Sequence, residues 1–101
     1  MALDAKQLLE MSQQQLDALF SAHDAGPIPD GEGKGTAIIA RIYKGPSWLD
    51  GKECIVLDYS ETSLVASHIR DEIRLIEPGF YLGKVYWDKA RLIDFCLDFR
   101  T

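Results

Sequence analysis

The sequence predicts a mainly β fold of the α+β class, in which an N-terminal helix precedes a curved antiparallel meander of five or six strands. Two observations carry this prediction. Apolar residues recur at helical spacing before Gly26, and short β-branched and aromatic runs separated by turn dipeptides follow over residues 35–99. Because 101 residues suffice for one core but not for two, residues 1–101 are predicted to form a single domain.

The helix is predicted over residues 12–24. Ser12 and Gln15 make a capping-box pattern, in which each side chain pairs with a backbone N–H that the first helical turn leaves free. Apolar residues then recur every three or four positions, and the Gly-Pro pair at 26–27 ends the pattern. An extension of the helix backwards over residues 6–11 stays open.

Strand-like segments follow a connector, PIPDGEGKG, that consists mostly of turn-forming residues. A phosphate-binding loop follows a strand and opens a helix, and this connector has the reverse order. The predicted strands are residues 36–43, 53–59, 71–76, 80–87 and 90–99. Gly45-Pro46, Asp50-Gly51, Pro78-Gly79 and Asp88-Lys89 are predicted turns. Residues 60–67 form either a short helical turn or part of a bent strand.

The last strand has the most regular alternation. Odd-numbered residues from Ile93 to Phe99 are all apolar, whereas Asp94 and Asp98 lie on the other face. This pattern predicts that the apolar face packs on the core and that both aspartates lie in solvent.

Charge and hydropathy exclude several classes of function. A net charge of -5 disfavours nucleic-acid binding, which depends on clustered Lys and Arg side chains. No apolar run approaches the roughly 20 residues of a membrane span, and the first residues do not follow the pattern of a secretory signal. We therefore expect a cytoplasmic protein.

Metal and catalytic chemistry have little support in the sequence. Cys54 and Cys96 lie in apolar runs and are predicted to be buried free thiols, and two histidines are too few for a zinc site. The best catalytic set is His68 with Asp58 or Asp71 and a nearby serine, but no nucleophile-elbow glycine pattern surrounds any of the serines. We expect a protein without enzymatic activity, cofactor or metal.

Aromatic residues are the strongest candidates for a binding site. Rings with polar tips line apolar pockets in the mouths of small barrels, and they also fill cores. The candidate ligand-binding residues are Trp48, Tyr59, Tyr81, Tyr86 and Trp87, with Arg70 and Arg74 to hold a polar head group such as a carboxylate. Two interpretations stay open for Trp48, which either covers a cavity mouth or packs across its own hairpin.

Four blocks of the sequence, GPIPDG, GPSWLDG, DEIR and PGFYLGKVYW, carry a resemblance. The chain resembles a group of uncharacterised small bacterial proteins over about residues 16–39 and 41–99. More remotely, it is similar to GXWXG-type proteins with a lipocalin-like barrel. This resemblance implies a bacterial protein with a partial barrel that binds a small apolar or amphipathic ligand.

The chain departs from this resemblance at one place. In the longer proteins a segment separates the blocks that match GTAII and RIYKG, whereas Ile39 and Arg41 almost adjoin here. A barrel that lacks strands has open edges, which tend to pair with another chain. The alternative prediction is therefore a structural or protein-interaction module that forms a homodimer through its sheet.

Overall fold

The computed structural model describes residues 3–28, 41–59 and 68–100. Over these residues the elements are α1 (Ala5–Leu9), α2 (Gln13–Ser21), β1 (Arg41–Pro46), β2 (Glu53–Asp58), β3 (Ile69–Glu77), β4 (Phe80–Trp87) and β5 (Ala90–Asp98). The strands form one antiparallel sheet in the order β1-β2-β3-β4-β5. The mainly β class and the antiparallel meander are thus confirmed. The sheet is open, with β1 and β5 at its edges, and the partial barrel stays a prediction.

Two capping boxes divide the helical region, where the sequence pattern predicts one helix over residues 12–24. Asp4 and Gln7 cap the start of α1, and Ser12 and Gln15 cap the start of α2 as predicted. Each box begins a new helix, so the residues before Ser12 form a separate short helix and not an extension of α2.

The second helix ends at Ser21, three residues earlier than predicted. Side chains from elsewhere in the fold bind its last carbonyls: Arg74 Nη1 donates to the Phe20 carbonyl at 2.9 Å, and the Lys52 ammonium donates to the Ser21 carbonyl. Gly26 has a left-handed φ of 73°, but it lies four residues beyond the C-cap Ala22 and so does not end the helix as predicted.

Strand boundaries follow the predictions with small shifts. The structure confirms β4 over residues 80–87, and β3 begins two residues earlier than predicted, at Ile69. The placement of Gly45-Pro46 in a turn is wrong, because β1 continues through Pro46. Edge strands tolerate proline, since a missing N–H on the outer side breaks no ladder bond. The predicted residues 36–40 and the ambiguous residues 60–67 lie outside the described residues.

Three of the four predicted turn dipeptides, Asp50-Gly51, Pro78-Gly79 and Asp88-Lys89, lie in connections between strands. Gly51 and Gly79 have φ values of 75° and 79°, which a side chain would disfavour. Asp88 and Lys89 both have positive φ, at 48° and 74°, which is the signature of a type I′ hairpin turn.

Apolar clusters lie on both faces of the sheet. The helix face, on which the two helices pack, carries the buried residues Leu8, Phe20, Cys54, Val56, Ile76, Phe80 and Leu82. The opposite face carries the buried residues Ala25, Ile55, Ile73 and Tyr81. Because side chains alternate along a strand, the even-numbered residues of β2, β3 and β4 belong to the helix face.

The predicted burial of β5 is partly wrong. Phe95 and Leu97 pack against the cluster on the opposite face, but Ile93 and Phe99 are 60% and 49% exposed. Conversely, the side chain of Asp94 is only 7% exposed. Both errors have one cause: α2 packs on the mixed, even-numbered face of the sheet, which the strand pattern assigns to solvent.

Candidate functional site

An open apolar groove lies between the helices and the edge strand β5, and we call it the β5 groove. Its volume is about 550 Å³, within the range of small-molecule sites. The residues that line it include Leu8, Leu9, Leu16, Leu82 and Leu92. Leu9 and Leu92 are 85% and 56% exposed, so apolar surface of the groove faces solvent.

One end of the groove is polar. Gln13 and Asp94 line it there, and Gln13 Nε2 donates to Asp94 Oδ2 at 2.9 Å. The other carboxylate oxygen, Asp94 Oδ1, is buried and has no hydrogen-bond partner within the part of the chain that the structure describes. A buried acceptor that lost its water without gaining a donor is destabilising. The lining of the groove thus includes a carboxylate, Asp94, that has one acceptor oxygen with spare capacity.

Four charged residues, Asp17, Lys84, Arg91 and Asp94, form a charged cluster at this end. Lys84 is fully buried, with its Nζ 2.7 Å from Asp17 Oδ1 and 3.0 Å from Asp94 Oδ2. Arg91 Nη1 lies 2.6 Å from the same Asp17 oxygen. Burial opposes ionisation of Asp17, but hydrogen bonds from Lys84 and Gln13 outweigh it and lower its pKa. Two cations and two carboxylates leave the cluster with no formal net charge.

Arg74 was predicted to hold a ligand head group, yet it is fully buried and all its donors are in use. Its two terminal nitrogens each lie 2.7 Å from an oxygen of Asp50. It also donates to the carbonyls of Phe20, Lys52 and Glu53. A guanidinium has five N–H donors, and these five bonds account for all of them.

Three of the predicted residues, Trp48, Arg70 and Tyr86, meet on the helix face. The Arg70 guanidinium lies 4.3 Å from the centroid of the Trp48 ring, which packs edge-on against Tyr86 at 5.3 Å. Fully buried Glu72 accepts hydrogen bonds from Ser47 Oγ at 2.6 Å and from the backbone N–H of Trp48 at 2.8 Å. These contacts place the Trp48 ring against β3 and β4, so it packs back from the turn onto the sheet and not across its own hairpin.

The other three predicted aromatic residues, Tyr59, Tyr81 and Trp87, lie towards the opposite face. Tyr59 donates to Asp71 Oδ2 at 3.1 Å, and burial raises its pKa to about 12. Tyr81 donates to the Pro27 carbonyl at 2.7 Å. The seven predicted residues therefore do not form one pocket, since they are divided between the two faces of the sheet. None of them lines the β5 groove. Their role in ligand binding stays a prediction.

Among the described residues, His68 pairs with Asp88 and not with the predicted Asp58 or Asp71. Its Nδ1 lies 2.9 Å from Asp88 Oδ1 at an exposed position, and it forms no hydrogen bond with Asp58 or Asp71. The candidate serines at 60–67 lie outside the described residues.

Both cysteines are free, as predicted. Burial and then the charge of Glu72 raise the pKa of Cys54 to about 12, while Cys96 is half-buried and lines the β5 groove. Over the described ranges, no group of three or more His, Cys, Asp and Glu side chains is arranged to hold a metal ion. Neither α1 nor α2 is long and apolar enough to span a membrane.

Sequence reasoning missed both the groove and the charged cluster. One signal was available, because Lys84 is the single charged residue inside the otherwise apolar strand FYLGKVYW. In the sheet Lys84 lies directly opposite Asp94 on one side and Glu72 on the other. A lone charge in a buried strand is retained only where opposite charges surround it.

Comparison with known proteins finds no match: no protein-family model, no curated protein and no solved structure matches this chain. The resemblance to lipocalin-like proteins stays an expectation. The candidate site therefore depends on the geometry of the chain itself.

Proposed function

We propose that the protein binds a small apolar or amphipathic molecule in the β5 groove, without catalysis. The observation that carries this proposal is the apolar groove of about 550 Å³, whose lining includes Asp94, a buried carboxylate with one unpaired oxygen. Apolar walls with a few converging polar groups are typical of small-molecule sites. The proposal agrees in class with the expectation from lipocalin-like proteins, but it places the ligand between the helices and a sheet edge.

Burial of apolar surface supplies the affinity. A ligand that covers about 400 Å² of apolar area, counted over both partners, gains roughly 10 kcal/mol at about 25 cal/mol per Å². Loss of translational and rotational freedom removes at least about 4 kcal/mol of this gain. The expected affinity therefore lies in the micromolar to millimolar range.

A fluorescent probe tests this function. N-phenyl-1-naphthylamine, which is uncharged and mostly apolar, should bind with a saturable rise in fluorescence at one site per chain. Bound probe should also slow the reaction of Cys96 with a thiol reagent, because Cys96 lines the groove. Cys54 provides no background in the folded protein, since it is fully buried.

Matched variants of β5 show whether the probe occupies the groove. Leu92→Glu places a charge in the groove at an exposed position and should abolish binding. Phe99→Glu changes a similarly exposed residue outside the groove and should leave binding intact. Equal binding by both variants and the wild type, or no saturable binding at all, would rule out the groove as the site.

A second candidate function is self-association through β5. This edge strand exposes Leu92 and Ile93, and its charges at Arg91 and Asp94 are neutralised within the chain, so they give the edge little protection. The opposite edge carries Pro46 instead. We propose a second copy as the occupant, because an antiparallel strand pairs with itself about a two-fold axis.

Sedimentation decides between monomer and dimer. The wild type should form a dimer, and Ile93→Lys should convert it to a monomer, since a charge on an exposed edge position opposes pairing. A wild-type chain that stays monomeric at every concentration tested excludes this candidate and leaves ligand binding untouched.

A further inference from the structure

We propose that the β5 groove selects ligands whose head group is uncharged and donates a hydrogen bond, such as a hydroxyl, and that Asp94 Oδ1 accepts this bond. The inference depends on the proposed function of the groove and specifies the chemical class of its ligand. It differs from the carboxylate-bearing ligand expected from the sequence.

The hydrogen bonds of Asp94 show why a donor is required. Its side chain is 7% exposed, and Oδ2 already accepts from Lys84 and Gln13. Oδ1 accepts from no group, although an ionised carboxylate oxygen has two acceptor sites. A ligand donor that reaches Oδ1 therefore removes an existing desolvation cost instead of breaking a bond to water.

The charges around Asp94 determine the charge of the head group. Lys84 Nζ lies 3.0 Å from the neighbouring oxygen of the same carboxylate, and Asp17 and Arg91 complete a cluster without formal net charge. An ammonium head group adds a third cation beside buried Lys84, where screening is weak. A carboxylate head group cannot donate a hydrogen bond, so its oxygens would face Asp94 Oδ1 and repel it. An uncharged donor avoids both penalties.

Access to Asp94 Oδ1 requires a side chain to move. The oxygen has less than 1 Å² of exposed surface in the free protein. Leu92 lies two residues away on β5, lines the same groove and is 56% exposed. An exposed leucine changes rotamer at little cost, so we place the opening movement there.

A series of ligands with the same eight-carbon chain tests the inference in the wild-type protein. The probes are 1-octanol, octyl methyl ether, octylammonium and octanoate, each measured by displacement of N-phenyl-1-naphthylamine. We expect 1-octanol to bind about tenfold more tightly than each of the others, as one satisfied acceptor implies. Equal binding of all four overturns the selectivity while the groove keeps its function. Displacement by none of them contradicts the proposed function as well.

The Asp94→Asn variant separates recognition from a structural role. Its carbonyl oxygen keeps the hydrogen bonds from Lys84 and Gln13, so its NH₂ group replaces Oδ1 as a donor. Because one carboxylate charge is lost, the cluster has a net positive charge. We expect the preference to reverse, so that octanoate displaces the probe about tenfold better than 1-octanol. Asp98→Asn is the matched control on the same strand, because the Asp98 side chain is 41% exposed and pairs with Arg100.

Each result of the variant experiment has a definite meaning. Equal weakening of all four ligands by Asp94→Asn assigns Asp94 a structural role only and overturns the inference. A reversed order of 1-octanol and octanoate, absent in Asp98→Asn, supports it. If Asp94→Asn does not fold, the wild-type series decides, because the ether has a methyl group in place of the hydroxyl hydrogen and so cannot donate, although it is the more apolar of the two.

Discussion

Arg74 and Asp50 form a bidentate ion pair beneath the end of α2, with two nitrogen-to-oxygen distances of 2.7 Å. The arginine side chain is fully buried, and that of Asp50 is 16% exposed. The same guanidinium donates to the Phe20 carbonyl and lies 4.3 Å from the Phe20 ring centroid. One ion pair thus links the β1–β2 turn, strand β3 and the helix, and it helps to set where α2 lies on the sheet.

Removal of the Asp50 charge should destabilise the fold in a pH-dependent way. Asp50→Asn leaves the buried Arg74 guanidinium uncompensated, so the free energy of unfolding at about pH 7 should fall by roughly 3 kcal/mol. Hydrogen bonds from Arg74 hold the pKa of Asp50 well below its ordinary value of 3.8. The stability that the Asp50 charge gives the wild type is therefore complete above about pH 4. It is lost as the pH falls through the pKa of Asp50 in the folded state.

Urea unfolding of Asp50→Asn and the wild type at about pH 7 and in acid measures this difference. Asp24→Asn, at an exposed position, is the control and should stay within about 0.5 kcal/mol of the wild type. A difference between Asp50→Asn and the wild type that is the same at both pH values contradicts the argument.

The buried Lys84 ammonium should be essential to the stability of the fold. Lys84→Met leaves the buried Asp94 carboxylate without its cation, which should lower the free energy of unfolding by about 3 to 5 kcal/mol. Urea unfolding at about pH 7 measures this loss, with exposed Lys44→Met as the control. A loss no larger than that of Lys44→Met would contradict the argument.

The ring of Phe95 lies directly over Gly83 on the neighbouring strand. A Cβ atom at Gly83 would lie 2.3 Å from the Phe95 ring, which is far inside contact distance. Gly83→Ala should therefore lower the free energy of unfolding by about 1 to 3 kcal/mol through overpacking. Gly45→Ala is the control in β1, since its Cβ meets nothing closer than 3.5 Å. Adding Phe95→Leu should recover part of the loss, and a double-mutant cycle in urea measures how much.

One substitution in the last turn should stabilise the protein. Lys89 has a left-handed φ of 74° in a type I′ turn, a position that glycine occupies without steric cost. Lys89→Gly should raise the free energy of unfolding by about 0.5 to 1 kcal/mol, after allowance for the greater freedom of glycine in the unfolded chain. The midpoint of thermal unfolding is the measurement. Lys89→Ala keeps the strain and should give no increase.

Features that depend on neighbouring residues in the chain were predictable. Local patterns predict the Ser12–Gln15 capping box, β4 over residues 80–87 and the turns at Asp50-Gly51, Pro78-Gly79 and Asp88-Lys89, and the structure confirms them. The pairing of β1 with β2, of β3 with β4 and of β4 with β5 is also local in origin, because a short connection brings each second strand beside the first. The end of α2 was missed because distant side chains bind its carbonyls.

The candidate site was not predictable in the same way. The sequence pattern singles out aromatic rings, whereas the groove is lined mostly by aliphatic residues from two helices and an edge strand. Asp94 was assigned to solvent because alternation shows which residues share a face but not which face is covered.

By itself, then, the sequence determined the strands, their order and their turns, since hydrophobic period and backbone preference act over a few residues. Only the tertiary structure decided that α2 packs on the mixed face of the sheet, so that Lys84 and Arg74 are buried among carboxylates and a groove remains beside β5. The physical reason is that burial of a charge depends on partners far apart in the chain. Asp17 and Asp50 become partners of these cations only when the helix and the first turn meet the sheet.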